Sequence, residues 1–395
     1  MKNRLLPYKH AIGIIILVSL MAFLKSGIKA YNYEVYHIAN TMLGFLQWFV
    51  VLLALLSWVI KRRFVYLGNL ILALVMFVML EFTCYFLLGM PIFIAKEFDT
   101  PELPADHISS HLGFVQWGDS VLTATKMNGQ DTVYHVRYTI DGLNRRTTPD
   151  KDESKGKFAL FFGGSVAYGY GIQDDETLPY QFQQKLKDYN AYNYANSGWG
   201  PQGMLARMEW RDLSEQVSEK DGLLVYVFLW SHIRRAIGDL ITYSDWGWTM
   251  PYYTMEDNKL VRKGNFANGR FFPSRIYELV YHSNIVKYFN LNFPIGTSRA
   301  HMELTVEIFL KSRELYQKTF GTERFVIIIH PGDWDFINDD DKKLFKEILA
   351  ERGLEFYDYS DVVVLNHETS IIGDGHPNAV AYDQITDLMI RDMRL

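Results

Sequence analysis

Cysteine is almost absent: the 395 residues contain one, Cys84, and the long remainder after it has none. A disulfide framework is thereby excluded, and that remainder must be stable through its own core, as its length allows. A strong excess of either charge is lacking too. A net charge of −5 with no basic patch argues against nucleic acid as a partner. The chain has no internal repeat and no low-complexity segment. It has no Gly-x-Ser-x-Gly elbow, because Ala167 occupies the last position after Ser165. Near His330-Pro-Gly-Asp333-Trp-Asp335 no second His or Cys group stands at ligand spacing. That run reads as a polar rim, and neither metal nor cofactor is expected.

Long apolar runs are abundant, and they sit at the start. Ala11–Leu24 is an apolar stretch of fourteen, Ile38–Ile60 is almost wholly apolar, and so is most of Phe64–Ala95. A membrane span needs about 20 residues to cross roughly 30 Å of hydrocarbon. The first run has a basic start but no small-residue cleavage site after it, so it reads as retained. The expectation is an anchor over 1–97 with three transmembrane helices. Lys2, Arg4 and Lys9 before the first, and Lys61-Arg62-Arg63 between the second and third, place those ends in the cytoplasm. The rest then lies on the periplasmic or extracellular side of a bacterial inner (cytoplasmic) membrane. Glu81, inside the third run, is expected to pair between helices or with a membrane protein partner.

Residues 98–154 read as a linker, with Pro101 and Pro104, followed by a small β-rich segment that includes Thr132–Thr139 and the turn Asp141-Gly142. From 155 to 395 strands alternate with helices. Phe158–Phe162, Leu223–Leu229 and Phe325–Ile329 are continuous apolar runs of the kind buried on both sheet faces, and Leu354–Asp358 is a fourth candidate. A helix is expected over Asn338–Arg352, with acidic residues at its positive end and Gly353 as its stop. The predicted class is α/β, a three-layer α/β/α domain with a mostly parallel sheet. Its site is expected at the carboxyl ends of the strands. An aromatic-rich insertion at about 243–294 reads either as a satellite core or as a platform for sugar rings and acyl chains.

At the end of the first strand stands Gly163-Gly164-Ser165, and near the C-terminus Asp374-Gly375-His376-Pro377-Asn378. A serine on a glycine-flanked turn, with a carboxylate and an imidazole elsewhere, supplies the parts of a nucleophilic acyl-transfer site. With Tyr168-Gly169, and with Asn193-Tyr-Ala-Asn-Ser-Gly198-Trp-Gly200-Pro-Gln between, these blocks resemble the SGNH (GDSL-type) serine hydrolases from Phe158 to the C-terminus. The resemblance implies Ser165 as nucleophile, His376 as base and Asp374 as its orienting acid. It also implies an oxyanion hole from the N–H groups of Ser165 and Gly198.

Two departures stand out. The family's Gly-x-Asn-Asp block is replaced by Trp230-Ser231-His232-Ile233-Arg234-Arg235, so Ser231 occupies the place of the oxyanion asparagine, with His232 beside it. Asp374 precedes His376 by two positions rather than three. Trp199, His232 and Arg234 are further candidates for contacting substrate, and Arg234-Arg235 for clamping a carboxylate or phosphate. The resemblance implies O-acyl esters, often acetyl groups on carbohydrate, with an acylated glycan or lipid as partner. Acyl transfer to a sugar hydroxyl and a non-catalytic subunit of an envelope assembly are the rival readings.

Overall fold

The computed structural model describes residues 65–89, 107–332 and 337–395. They form two compact units. One holds 65–89 with 282–291, the other 107–281 with 292–332 and 337–395. In the first unit the chain is helical over Val65–Leu88. Leu72, Leu74, Met76, Phe77, Val78, Leu80, Phe82 and Tyr85 are exposed on it. Among the described residues no helix is long and apolar enough to cross a membrane. The two earlier expected spans and the linker at Pro101 and Pro104 lie outside the described residues. The Glu81 carboxylate accepts from the Ser283 hydroxyl and, at 2.7 Å, from the Asn284 N–H. It thus joins Ser283 in satisfying the first turn of the helix Asn284–Tyr288.

The strands of the second unit run β1 (His107–Ser109), β2 (Gly113–Val115), β3 (Ser120–Asn128), β4 (Asp131–Ile140), β5 (Lys157–Gly163), β6 (Tyr189–Asn193), β7 (Asp221–Phe228), β8 (Pro251–Glu256), β9 (Lys259–Asn265), β10 (Phe325–Ile329) and β11 (Glu355–Asp358). Five of them form a sheet in the order β11-β10-β7-β5-β6, every pair parallel. The period-two alternation of side chains splits the apolar runs between two cores. Ala159 and Phe161 of β5, Val225 and Val227 of β7, and Val326 and Ile328 of β10 pack with Phe182, Tyr382, Ile385 and Met389. Their neighbours Phe158, Leu160, Phe162, Tyr226, Phe228 and Ile327 pack with Met302, Val306, Phe309 and Phe345 on the other side. Helices therefore cover both faces, as expected of the three-layer class.

Two local expectations change. The β-rich hairpin of β3 and β4 turns at Asn128–Asp131, where Gly129 adopts positive φ, and not at Asp141-Gly142. Asp141 instead accepts from the Leu143 and Arg145 N–H groups just past β4. Strand β6, a polar Tyr-Asn-Ala-Tyr-Asn segment, has no apolar run to announce it. Its Asn190 finds Glu219 and the Asp152 carbonyl, and its Ala191 N–H finds Gln183. The aromatic-rich stretch contains the β8/β9 hairpin and the helix Phe271–Tyr281. Its Tyr243, Met250 and Phe266 pack with Trp199 and Leu112 in a satellite core, the plainer of the two expected roles.

Candidate active site

Ser165 opens a four-residue helix, Ser165–Tyr168, directly after β5. So short a helix has no stability of its own, because nucleation is costly. Side chains from distant segments satisfy its carbonyls instead. The Tyr382 hydroxyl donates to Val166 O at 2.7 Å, and Asn193 Nδ2 donates to the Ala167 and Tyr168 carbonyls, each at 3.2 Å. Arg146 donates to Tyr168 O at 2.9 Å, to Gly169 O and to Ile172 O at 2.7 Å. The same guanidinium pairs with Asp174 at 2.8 Å and lies between the rings of Tyr138 and Tyr168. Isolated bridges from Ile140 to Arg146 and from Arg146 to Asn193 tie the hairpin to the sheet edge at this point. The serine is thus held in place from three sides.

The loop 374–378 brings the other two groups to it. His376 Nε2 lies 2.9 Å from Ser165 Oγ, and His376 Nδ1 lies 2.5 Å from Asp374 Oδ1. With Asp374 ionised, Nδ1 carries the proton it donates, which leaves the Nε2 lone pair for the serine hydroxyl. The two-residue spacing of acid and base is accommodated in a turn, Asp374 Oδ1 also accepting from the His376 N–H at 3.3 Å. Asn378 caps the helix Ala379–Met393 behind it. Tyr170 lies against the imidazole, ring centroids 5.0 Å apart.

Lys126, on β3, donates to the second carboxylate oxygen of Asp374. Burial alone would raise the Asp374 pKa, but the hydrogen bonds from His376 and Lys126 outweigh it and lower the value to about 2. An unfolded aspartate titrates near ~3.9. The depressed folded value therefore stabilises the protein above pH ~4, by on the order of 2–3 kcal/mol, and that contribution is lost as pH falls through about 2. Lys126→Met is expected to raise the Asp374 pKa. The stability gap between wild type and variant should be widest above pH ~4 and close toward pH ~2. Chemical denaturation across that range checks it, and a gap independent of pH would contradict the pairing.

In the loop expected to hold the oxyanion, Gly198 adopts φ +79°, a conformation that suits glycine. Its carbonyl accepts from the Trp246 indole at 3.1 Å. The loop is fixed by Asn196 N–H to Gly163 O at 3.3 Å. Both Asn196 Nδ2 and Trp199 Nε1 donate to Phe114 O at 3.1 Å. Among the described residues, neither the Ser165 nor the Gly198 N–H donates to a backbone carbonyl outside regular helix or strand ladders. Gly164 has no room for a side chain. A Cβ there would lie 2.6 Å from Arg235 Nη1, 2.9 Å from His232 Nε2 and 3.1 Å from Trp199 O. Gly164→Ala is expected to cost about 1–3 kcal/mol of stability and to lower turnover by more than about tenfold through displacement of Ser165. Urea unfolding alongside ester kinetics measures both.

The remaining sequence candidates are placed differently. Ser231 Oγ is buried without a hydrogen-bond partner. His232 is fully buried beneath the Gly163-Gly164 turn, its Nδ1 accepting from the Leu229 N–H at 3.4 Å and within 3.0 Å of the Tyr226 hydroxyl. Burial holds this imidazole neutral, well below the usual histidine pKa. Arg234 turns away to Asp239 and the Pro294 carbonyl. Trp199 is packed in the satellite core, 3% exposed, and offers no open platform. His330 is buried at the end of β10 with Nδ1 2.5 Å from Pro331 O, and burial lowers its pKa to about 4. Asp333 and Asp335 lie outside the described residues.

No family model matches the chain, and no curated protein matches it. Among solved structures, one similar to it is a carbohydrate esterase described as having divergent catalytic and non-catalytic binding functions. It is 12% identical, covers 70% of this chain and 84% of that one, and has a TM-score of 0.37. A member of the lipolytic G-D-S-L family from Veillonella parvula is 13% identical, covering 60% of this chain and all of that one, with a TM-score of 0.34. A salicylyl-acyltransferase from a tetracycline biosynthetic pathway is 13% identical, covering 62% and 56%, with a TM-score of 0.32. At such scores the likeness decides neither fold nor chemistry, which rest here on the sheet and on the hydrogen-bonded series.

Two concavities, about 470 and 530 Å³, are lined by Ile108, His111 and Trp210 in one case and by Val133, Ile371 and Gly373 in the other. Neither includes Ser165, His376 or Asp374, so the side-chain geometry and not the hollows locates the chemistry. Lys126, Arg146 and Phe114 escape motif reading altogether, and Trp246 enters it only as part of the aromatic-rich insertion. Phe114, Lys126 and Arg146 share one sequence signal, their position in the β-rich segment before the alternating α/β pattern.

Proposed function

We propose that the chain is a serine esterase of the SGNH type, acting on O-acyl esters, acetyl foremost, of envelope glycans or lipids. The observation that carries this reading is the series Ser165 Oγ–His376 Nε2–His376 Nδ1–Asp374 Oδ1, at 2.9 and 2.5 Å. The distances suit proton transfer from hydroxyl to imidazole. Ser165 Oγ attacks the ester carbonyl as its proton passes to His376 Nε2, and Asp374 stabilises the imidazolium. The Ser165 and Gly198 N–H groups receive the oxyanion. The intermediate collapses with His376 returning the proton to the leaving alcohol. Water, activated by His376, then cleaves the acyl-serine and restores the free enzyme.

Attachment to a bacterial inner membrane belongs to the same proposal. It is supported by the apolar runs before Lys96, by the basic clusters at Lys2–Lys9 and Lys61–Arg63, and by the exposed apolar residues of the helix Val65–Leu88. The site would then face the periplasm or the exterior, near acylated glycans and lipids. A reporter enzyme active only outside the cytoplasm, fused after Leu395, is expected to be active, and activity confined to a cytoplasmic reporter would refute the orientation.

For the chemistry, the test is hydrolysis of p-nitrophenyl acetate and longer-chain esters by the full chain in detergent. Turnover highest with the acetyl ester supports an acetyl esterase. Turnover that appears only when a sugar hydroxyl is supplied favours acyl transfer, and none under either condition favours a binding subunit.

A further inference from the structure

We propose that Arg235 takes the place of the missing oxyanion asparagine, its guanidinium stabilising the negative charge that develops on the ester carbonyl oxygen. The inference rests on the serine-esterase reading and assigns a residue to it that the motif comparison leaves blank.

The two side chains at the position of the asparagine are closed to a substrate. Ser231 Oγ and His232 Nε2 are both buried atoms, and His232 as a whole has no exposed surface. One turn further along the same helix, Ser231–Ile237, Arg235 is partly exposed. Its Nη1 donates to Trp199 O at 3.1 Å and lies 2.6 Å from where a Gly164 Cβ would stand. Gly164 immediately precedes Ser165, and Trp199 immediately follows Gly198. The guanidinium is therefore bracketed by the neighbours of the two backbone donors already assigned to the oxyanion.

The arm is also held. A Cβ built on Gly200 would lie 2.8 Å from Arg235 Cβ, and the Trp246 ring lies 5.9 Å from the guanidinium carbon. Trp246 in turn donates to Gly198 O. A fixed cation placed beside a developing oxyanion acts where charge appears in the transition state, so it raises turnover more than ground-state affinity. Arginine suits this task because it stays protonated at any working pH and presents planar donors.

The experiment compares the full chain with its Arg235→Met, Arg235→Lys, Arg235→Ala and Ser165→Ala variants on a neutral ester, p-nitrophenyl acetate. Arg235→Met is expected to lower kcat by roughly 100- to 1000-fold with KM changed less than about threefold. Arg235→Lys should retain more activity than Arg235→Met. Added methylguanidine should raise the turnover of Arg235→Ala at least about tenfold, while leaving Ser165→Ala inactive, a rescue that a purely structural role would not give. A kcat for Arg235→Met within about twofold of wild type, in a protein whose turnover needs Ser165, overturns this inference alone. A raised KM with kcat intact also overturns it, assigning Arg235 to ground-state binding of the ester and not to the oxyanion. Lost activity with a lowered melting temperature and no rescue by methylguanidine overturns it in favour of a role in holding the Trp199 carbonyl. Absence of any Ser165-dependent turnover in the wild type brings down the esterase reading and this inference together.

Discussion

Ser165→Ala is expected to lower kcat for ester cleavage by roughly 10⁴- to 10⁶-fold, and His376→Ala by a similar factor. The double variant should be hardly worse than either single one, because hydroxyl and imidazole act as a unit through the 2.9 Å contact. The folded protein should lose little. Ser165 Oγ makes its side-chain hydrogen bond to His376, and the carbonyls of its helix are held by Tyr382, Asn193 and Arg146 whatever stands at 165. Thermal unfolding of Ser165→Ala within about 1 kcal/mol of wild type, with turnover abolished, is the expected pair of results. Additive losses in the double variant would mean that the two groups act separately.

The second large effect falls on stability. Arg146→Met removes a fully buried guanidinium that donates to Asp174 and to the Tyr168, Gly169 and Ile172 carbonyls, leaving Tyr168 O with the Asn193 amide and Asp174 with the Thr139 N–H. Stranding one side of a buried ion pair typically costs about 3–5 kcal/mol. Arg146→Lys should recover only a small part, since an ammonium cannot reproduce a planar fork that meets four acceptors between two tyrosine rings. Because the Tyr168 and Gly169 carbonyls end the helix that Ser165 begins, turnover is expected to fall even in conditions where the variant stays folded. Denaturant unfolding with parallel kinetics measures both, and a loss under about 1 kcal/mol would contradict the anchoring role.

Both effects show what could be read from the chain. Phe158–Phe162, Leu223–Leu229 and Phe325–Ile329 were legible as buried strands because each run is apolar on both sides of the pleat. Strand β6 was not, since its Asn190 is satisfied by Asp152 and Glu219 and its Ala191 N–H by Gln183, partners that sequence spacing does not reveal. At the site, Gly163-Gly164-Ser165 and Asp374-Gly-His376 carry local signatures, and the fold brings them within hydrogen-bond distance. Their supports carry no such signature. Lys126 meets Asp374 across 248 positions, and Phe114 meets Trp199 across 85, so no local pattern announces them. In the sequence, the β-rich segment reads only as a small element between the linker and the α/β domain. It holds Asp374 through Lys126, the Gly198 loop through Phe114 and the short helix of Ser165 through Arg146. Tyr138 adds a hydrogen bond from the Gly171 N–H at 2.8 Å. Trp199, by contrast, looked available from its motif and is buried, because aromatic residues fill satellite cores as readily as they face substrates.

The central claim is that Ser165 is an activated nucleophile, and covalent labelling addresses it directly. A fluorophosphonate probe added to the full chain, followed by peptide mass analysis, is expected to modify Ser165 alone. Labelling should disappear in Ser165→Ala and slow strongly in His376→Ala. A well-folded protein that takes up no label, or carries it at a residue other than Ser165, would contradict the account.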